Sequence, residues 1–176
     1  MRSHPFPSFC ESQSPTNYNH SANLCDYGRF FIRRSLETTQ NFISLVNACL
    51  SNPYALSQTD IRALEDCGSL LDLNVDVLSA TIQNTNSTDY LQSSQAEDMH
   101  TLLSAVLTNH QTCLDGIQSS ASSSIQSALL GLFENRTMLY SMSLALYKQG
   151  WVPGTERPVA NREKSPVFRD WFRPKG

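Results

Sequence analysis

Between residues 61 and 82 the positions Ile61, Leu64, Gly68, Leu71, Val75, Leu78 and Ile82 alternate steps of three and four. That spacing draws one narrow stripe along an α-helix, the seam of a helix packed lengthwise against others. Three further stretches carry an apolar side of helical kind. The first runs from about Asn23 to Leu50, with Phe31, Leu36, Phe42, Leu45, Val46 and Cys49 on its apolar side, and Asn52-Pro53 ends it because the residue before proline is pushed out of the helical region. Ser57 and Asp60 mark the start of the second, which extends to about Gln83. The third begins at a capping box formed by Ser94 and Glu97 and continues to about Ile117 through Met99, Leu102, Val106 and Cys113. A similar box at Ser123 and Gln126 opens the fourth, carried to about Lys148 by Ile125, Leu129, Leu132, Leu139, Met142 and Leu146. Four such helices joined by short loops predict an all-α, up-down-up-down four-helix bundle.

The bundle occupies residues 23–150 in this reading. Residues 1–22, rich in Pro, Ser and Asn, form an N-terminal extension, and residues 151–176, interrupted by Pro153, Pro158, Pro166 and Pro174, form an extended tail. A chain of 176 residues with 40% hydrophobic content supports one domain with a sizeable core. Its net charge is -3, and its 13 Lys and Arg are scattered apart from a cluster after Arg157, so nucleic acid is not the expected partner. No apolar run approaches the roughly 20 residues that a membrane span requires. Met1 to Ser14 lacks the apolar core of a signal peptide, so the chain as written carries no export signal.

Little here resembles a reaction centre. There is no phosphate-binding glycine loop, zinc-ligand spacing or nucleophile elbow. His4, His20, His100 and His110 are scattered, and the last two sit about 80° apart around one helix, so solvated histidines are expected and neither metal nor cofactor is. Glu65, Asp72 and Asp76 share one flank of the second helix, on a convex surface without a cleft to raise a carboxyl pKa. They read as a solvated face, or as an acidic rim that meets a basic or polar groove on a partner. Leu70, Leu73 and Val77 form a second apolar flank, covered by the N-terminal segment or else exposed to a partner.

Two stretches carry a family likeness: Ala63-Leu64-Glu65-Asp66-Cys67, and Leu102 to Gly116, which ends Leu107-Thr108-Asn109-His110-Gln111-Thr112-Cys113-Leu114-Asp115-Gly116. With Asp26-Tyr27-Gly28-Arg29-Phe30 and Ser143-Leu144-Ala145-Leu146, they resemble the plant inhibitor domain of pectin methylesterase inhibitors, invertase inhibitors and pectin methylesterase pro-regions. The likeness covers roughly residues 5 to 152 and looks closest to the pro-region branch. It implies a disulfide between Cys67 and Cys113, joining the second helix to the third. The family's N-terminal hairpin has a second bridge, between two cysteines with eight residues between them. Counting back from Cys10 reaches Met1, so that bridge is absent. Cys25 and Cys49 then read as small, half-buried helix residues, with a Cys10 to Cys25 pairing left open.

The resemblance also implies a function. Family members inhibit by occupying the groove that pectin would use, which makes this chain a stoichiometric, non-catalytic inhibitor or pro-region, with pectin methylesterase as partner. Contact is expected on solvent faces of helices two and three, through Glu65, Asp72, Asp76, Thr108 and Asn109. An invertase inhibitor, or a precursor pro-region serving folding or retention alone, are the alternatives. The family's catalytic branch is a parallel β-helix, and no repeating short strands are present here. The dibasic-Leu-Leu cleavage motif common in precursors is also absent, since Arg33-Arg34 lies inside helix one. Sequons at Asn19, Asn86 and Asn135, with five cysteines, favour a secreted cell-wall protein whose leader is missing from a fragment or truncated product.

Overall fold

The computed structural model describes residues 23–154. Asn23 and Asp26 each satisfy the other's backbone donor and open α1, Leu24–Leu50. A short 3-10 turn, Pro53–Ala55, leads to α2, Gln58–Thr85, which Ser57 and Asp60 cap in the same reciprocal way. Then come α3 at Ser93–Ser120, α4 at Ser123–Leu129, a 3-10 turn at Leu130–Leu132 and α5 at Phe133–Trp151. α1 packs on α2 and α5, α2 on α3, and α3 on α5, closing a four-membered all-α bundle. No strand occurs among the described residues.

Three boundaries differ from expectation. The box at Ser94 and Glu97 does not form, because the cap position falls two residues earlier, at Gln92, with no side-chain bond there. Leu91 before that cap and Ala96 in the first turn are buried in the same core cluster, so apolar contact sets the entry of the chain. The fourth helix is two helices: the tight turn at Leu130–Leu132 lets both Leu129 and Phe133 reach the core and leaves Leu132, expected in the seam, half-buried. Gln126 caps nothing there. Its amide donates instead to the carbonyls of Gln118 and Ala121 at 3.0 and 2.9 Å, where α3 runs out of helical partners. Finally, α5 does not lapse after Lys148 but runs through Trp151, whose indole is 1% exposed and stacks on Tyr147 at 5.3 Å.

The buried stripe of α2 is half apolar and half polar. Leu64, Leu71 and Leu78 are fully buried, whereas Ile61, Gly68, Val75 and Ile82 are only partly covered. Ala63 and Thr85 are buried too, and the other places fall to Asp60, Cys67, Asn74 and Thr81, seven residues apart. Each makes one specific link across the bundle. Cys67 is joined to Cys113, the Asn74 amide donates to the Val106 carbonyl at 3.1 Å, and the Thr81 hydroxyl donates to the Met99 sulfur at 3.0 Å. These partners descend by the same seven residues, so α2 and α3 run antiparallel in a single register. Asp60 accepts from the Ser122 backbone N–H at 2.6 Å, tying the start of α2 to the start of α4. That bond, with those from the Ser57 side chain and backbone, holds the Asp60 carboxyl well below the usual carboxylate range against the opposing effect of burial. α1 and α5 are linked similarly, by Ser35 to Ser143 at 2.8 Å and Thr39 to Tyr140 at 2.7 Å.

At the other end of the bundle α1 meets the close of α5. A Cβ on Gly28 would lie 2.7 Å from the Trp151 ring, so only glycine fits there. Cys25 is buried beside it, its thiol donating to the Gly150 carbonyl at 3.7 Å, and Cys49 is half-buried; Cys10 lies outside the described residues.

Two expectations follow for stability. Replacing Cys67 and Cys113 together by alanine opens a span of 46 residues. On the chain-entropy model this lowers stability by about 4 kcal/mol, read as a fall in the urea midpoint. Gly28→Ala, which in an open helix would gain roughly 1 kcal/mol, here loses about 1–3 kcal/mol through overpacking, with altered Trp fluorescence in the native state.

Candidate functional site

The outer face of α2 and α3 carries the residues singled out from the sequence. Glu65, Asp72 and Asp76 are exposed on α2, and Thr108 is exposed on α3. Asn109 is half-buried, and its amide donates to the Asn74 side-chain oxygen at 2.9 Å, so it serves the helix pair. Within the second apolar flank, Leu70 and Val77 pack against the core clusters and Leu73 stands out, 54% exposed. Leu45 and Leu102 were expected in the seams, yet both are exposed; Val46 and Leu103 beside them take the core positions. α2 and α3 together bear seven exposed carboxylates and a single guanidinium, that of Arg62. The face is strongly acidic.

A groove of about 250 Å³ lies between the two helices, with the Cys67–Cys113 bridge in its lining. Thr59, Arg62, Asp66 and Leu70 line it from α2, and Thr112 and Gly116 from α3. It is smaller than the roughly 300–1,000 Å³ of small-molecule pockets, and so suits a side chain better than a free ligand.

His110 is not solvated. It is 1% exposed, with Nε2 at 3.2 Å from the Phe133 carbonyl and its ring about 5 Å from those of Phe133 and Tyr140. Nδ1 has no hydrogen-bond partner among the described residues. Arg136 lies nearby, its guanidinium over the Phe42 ring at 4.4 Å and donating to the Leu132 carbonyl at 2.6 Å. Burial, helped by the Arg136 charge and opposed by the bond to Phe133, lowers the His110 pKa from 6.5 to about 4. The signal was present in the sequence, because position 110 falls on the same stripe as Val106, Cys113 and Ile117. His100 is half-buried, and its pKa is lowered by burial and then by Lys148.

The sequence reading missed one further cluster. Arg29 donates to the carbonyls of Thr85 and Thr88 at 2.7 and 2.9 Å, pairs with Asp26 at 3.0 Å and with Asp89, and stands 5.5 Å from the Trp151 ring. The Trp151 indole also donates to Thr88 at 3.2 Å, so the turn between α2 and α3 is held from two sides. Exposed Asn86 lies in that turn and accepts from Arg33; Asn135 is exposed on α5, and Asn19 lies outside the described residues.

No group of three or more potential metal-binding side chains occurs among the described residues, and no helix there is long and apolar enough to cross a membrane. Architecture and surface define a disulfide-tied helical bundle with one acidic, grooved face. The family model for plant invertase/pectin methylesterase inhibitor proteins matches residues 2–146, and the chain belongs to that family. It is 43% identical over 169 residues to the Arabidopsis thaliana probable pectinesterase/pectinesterase inhibitor 20, covering 96% of this chain and 29% of that protein. Against probable pectinesterase/pectinesterase inhibitor 41 of the same plant it is 41% identical, over 89% of this chain and 28% of the relative. A pectinesterase/pectinesterase inhibitor of Ficus pumila var. awkeotsang is 34% identical over 66% of this chain and 19% of its own length. The chain thus spans less than a third of these relatives. No solved structure matches it significantly.

Because the unfolded chain binds a proton on His110 that the folded chain excludes, stability rises with pH between about 4 and 6.5 and falls as acid is added across that window. The slope from this group is at most about 1.4 kcal/mol per pH unit. Thermal midpoints across that range, compared with those of His110→Gln, are expected to show the dependence flattened in the variant.

Proposed function

We propose that this chain is a non-catalytic inhibitory domain that covers the substrate groove of a pectin methylesterase in the plant cell wall, as a free inhibitor or as a pro-region. The observation that carries the reading is membership of the inhibitor family over residues 2–146, joined to relatives whose names pair pectinesterase with its inhibitor. The acidic face of α2 and α3 supports it, since carboxylates such as Glu65, Asp72 and Asp76 on rigid helices orient a basic or polar groove and speed encounter. Thr108 and Asn109 lie on the same helix pair. The protein reaches the wall through the secretory pathway, with Asn19, Asn86 and Asn135 as glycan acceptors.

Two other readings have specific support. The family's name includes invertase inhibitors, and the relatives' greater length accords with a pro-region that serves folding or retention alone. Titrating the purified chain into pectin demethylation and sucrose hydrolysis assays separates them. The expected result is stoichiometric loss of demethylation, weakened about tenfold or more when Glu65→Gln, Asp72→Asn and Asp76→Asn are combined, with the thermal midpoint unchanged. Loss of invertase activity alone overturns the target, and no effect on either enzyme at large molar excess leaves the folding role.

A further inference from the structure

The groove beside the disulfide holds a glycine that the fold does not explain. Gly116 lies inside α3, where glycine is destabilising relative to alanine, and its backbone is not in the left-handed region that would demand it. A Cβ built there meets nothing within 4 Å among the described residues, so none of them needs the space. What a bare backbone does at this point is keep the α3 wall low. Opposite stands Asp66, exposed and with no ion-pair partner among the described residues, although Arg62 is one helical turn away on the same wall. Leu70, one turn further along the same wall, supplies an apolar surface.

This lining, with Leu70 and the bare Gly116 backbone beside the Asp66 carboxylate, fits a side chain with an aliphatic stem and a cationic tip. The surrounding field decides against the opposite charge: seven exposed carboxylates on α2 and α3 repel an anionic polysaccharide and attract a basic protein surface. We infer that the groove beside Cys67–Cys113 seats a lysine or arginine side chain of the inhibited enzyme, with its stem on Leu70 and Gly116 and its charge on Asp66. This inference rests on the inhibitory reading above.

Three single variants test it in the pectin demethylation assay, with helicity and thermal midpoint measured alongside. Gly116→Met fills the groove with a good helix former, and is expected to weaken inhibition about tenfold while the midpoint holds or rises. Asp66→Asn is expected to weaken it about fivefold and to reduce its salt dependence. Arg62→Gln, which removes the one competing cation, is expected to tighten it. Inhibition unchanged in the folded Gly116→Met and Asp66→Asn proteins overturns the groove assignment while leaving the inhibitory function standing. Weakening by Arg62→Gln with none by Asp66→Asn means an anionic occupant and overturns it equally. A wild-type chain that fails to inhibit overturns the function, and this inference with it.

Discussion

Register between α2 and α3 is the constraint on which the rest depends. Two helices with leucine seams can slide past one another by a heptad and bury nearly the same area, since every seventh residue looks alike to the partner. The links at Cys67, Asn74 and Thr81 cannot slide, because each meets a different chemical group: a cysteine sulfur, a backbone carbonyl and a thioether. Leu64, Leu71 and Leu78 supply the burial, and the polar positions between them select one alignment. A Cys67–Cys113 bond makes that alignment covalent.

The consequence reaches both ends of the bundle. With α2 held against α3, Asp60 comes level with the turn after α3 and receives the Ser122 N–H, which places α4. At the far end the turn after α2 comes within reach of Arg29, and that guanidinium carries it to the indole of Trp151 at the close of α5. Gly28 exists for this meeting of helices, as nothing larger leaves room for the ring. One covalent register between two helices therefore sets the turn after α2 and the turn after α3.

The four-helix architecture was readable from apolar spacing because leucine and phenylalanine dominate the transfer free energy of each seam. Polar members of the stripe were not readable that way. Asn74 and Thr81 sit at core positions, yet each counts as surface in a hydrophobic pattern until its partner is known, and those partners come from another helix. The same limit hid Arg29, whose two carbonyl acceptors lie more than 50 residues away. Local chemistry misled at α3 and α4, where Ser94 and Ser123 resembled caps but burial of Leu91 and Leu129 fixed where each helix begins and ends. Of the residues expected to meet a partner, Glu65, Asp72, Asp76 and Thr108 do lie at the surface, and the groove between the helices needed coordinates to be seen.

A polar register also bears on how such a domain can act on another protein. Covering a cleft requires that charges on two helices keep fixed separations, since a rim that shifts by one turn offers a different pattern to its partner. An all-leucine seam would bury more apolar surface and still permit that shift, whereas the mixed stripe gives up some burial for a single spacing. The acids on α2 and the groove shared with α3 are thereby held as one rigid pattern, with the bond that fixes their spacing lining the cavity between them. Reduction of that bond would loosen the surface pattern and the core together, because both are read from the same register.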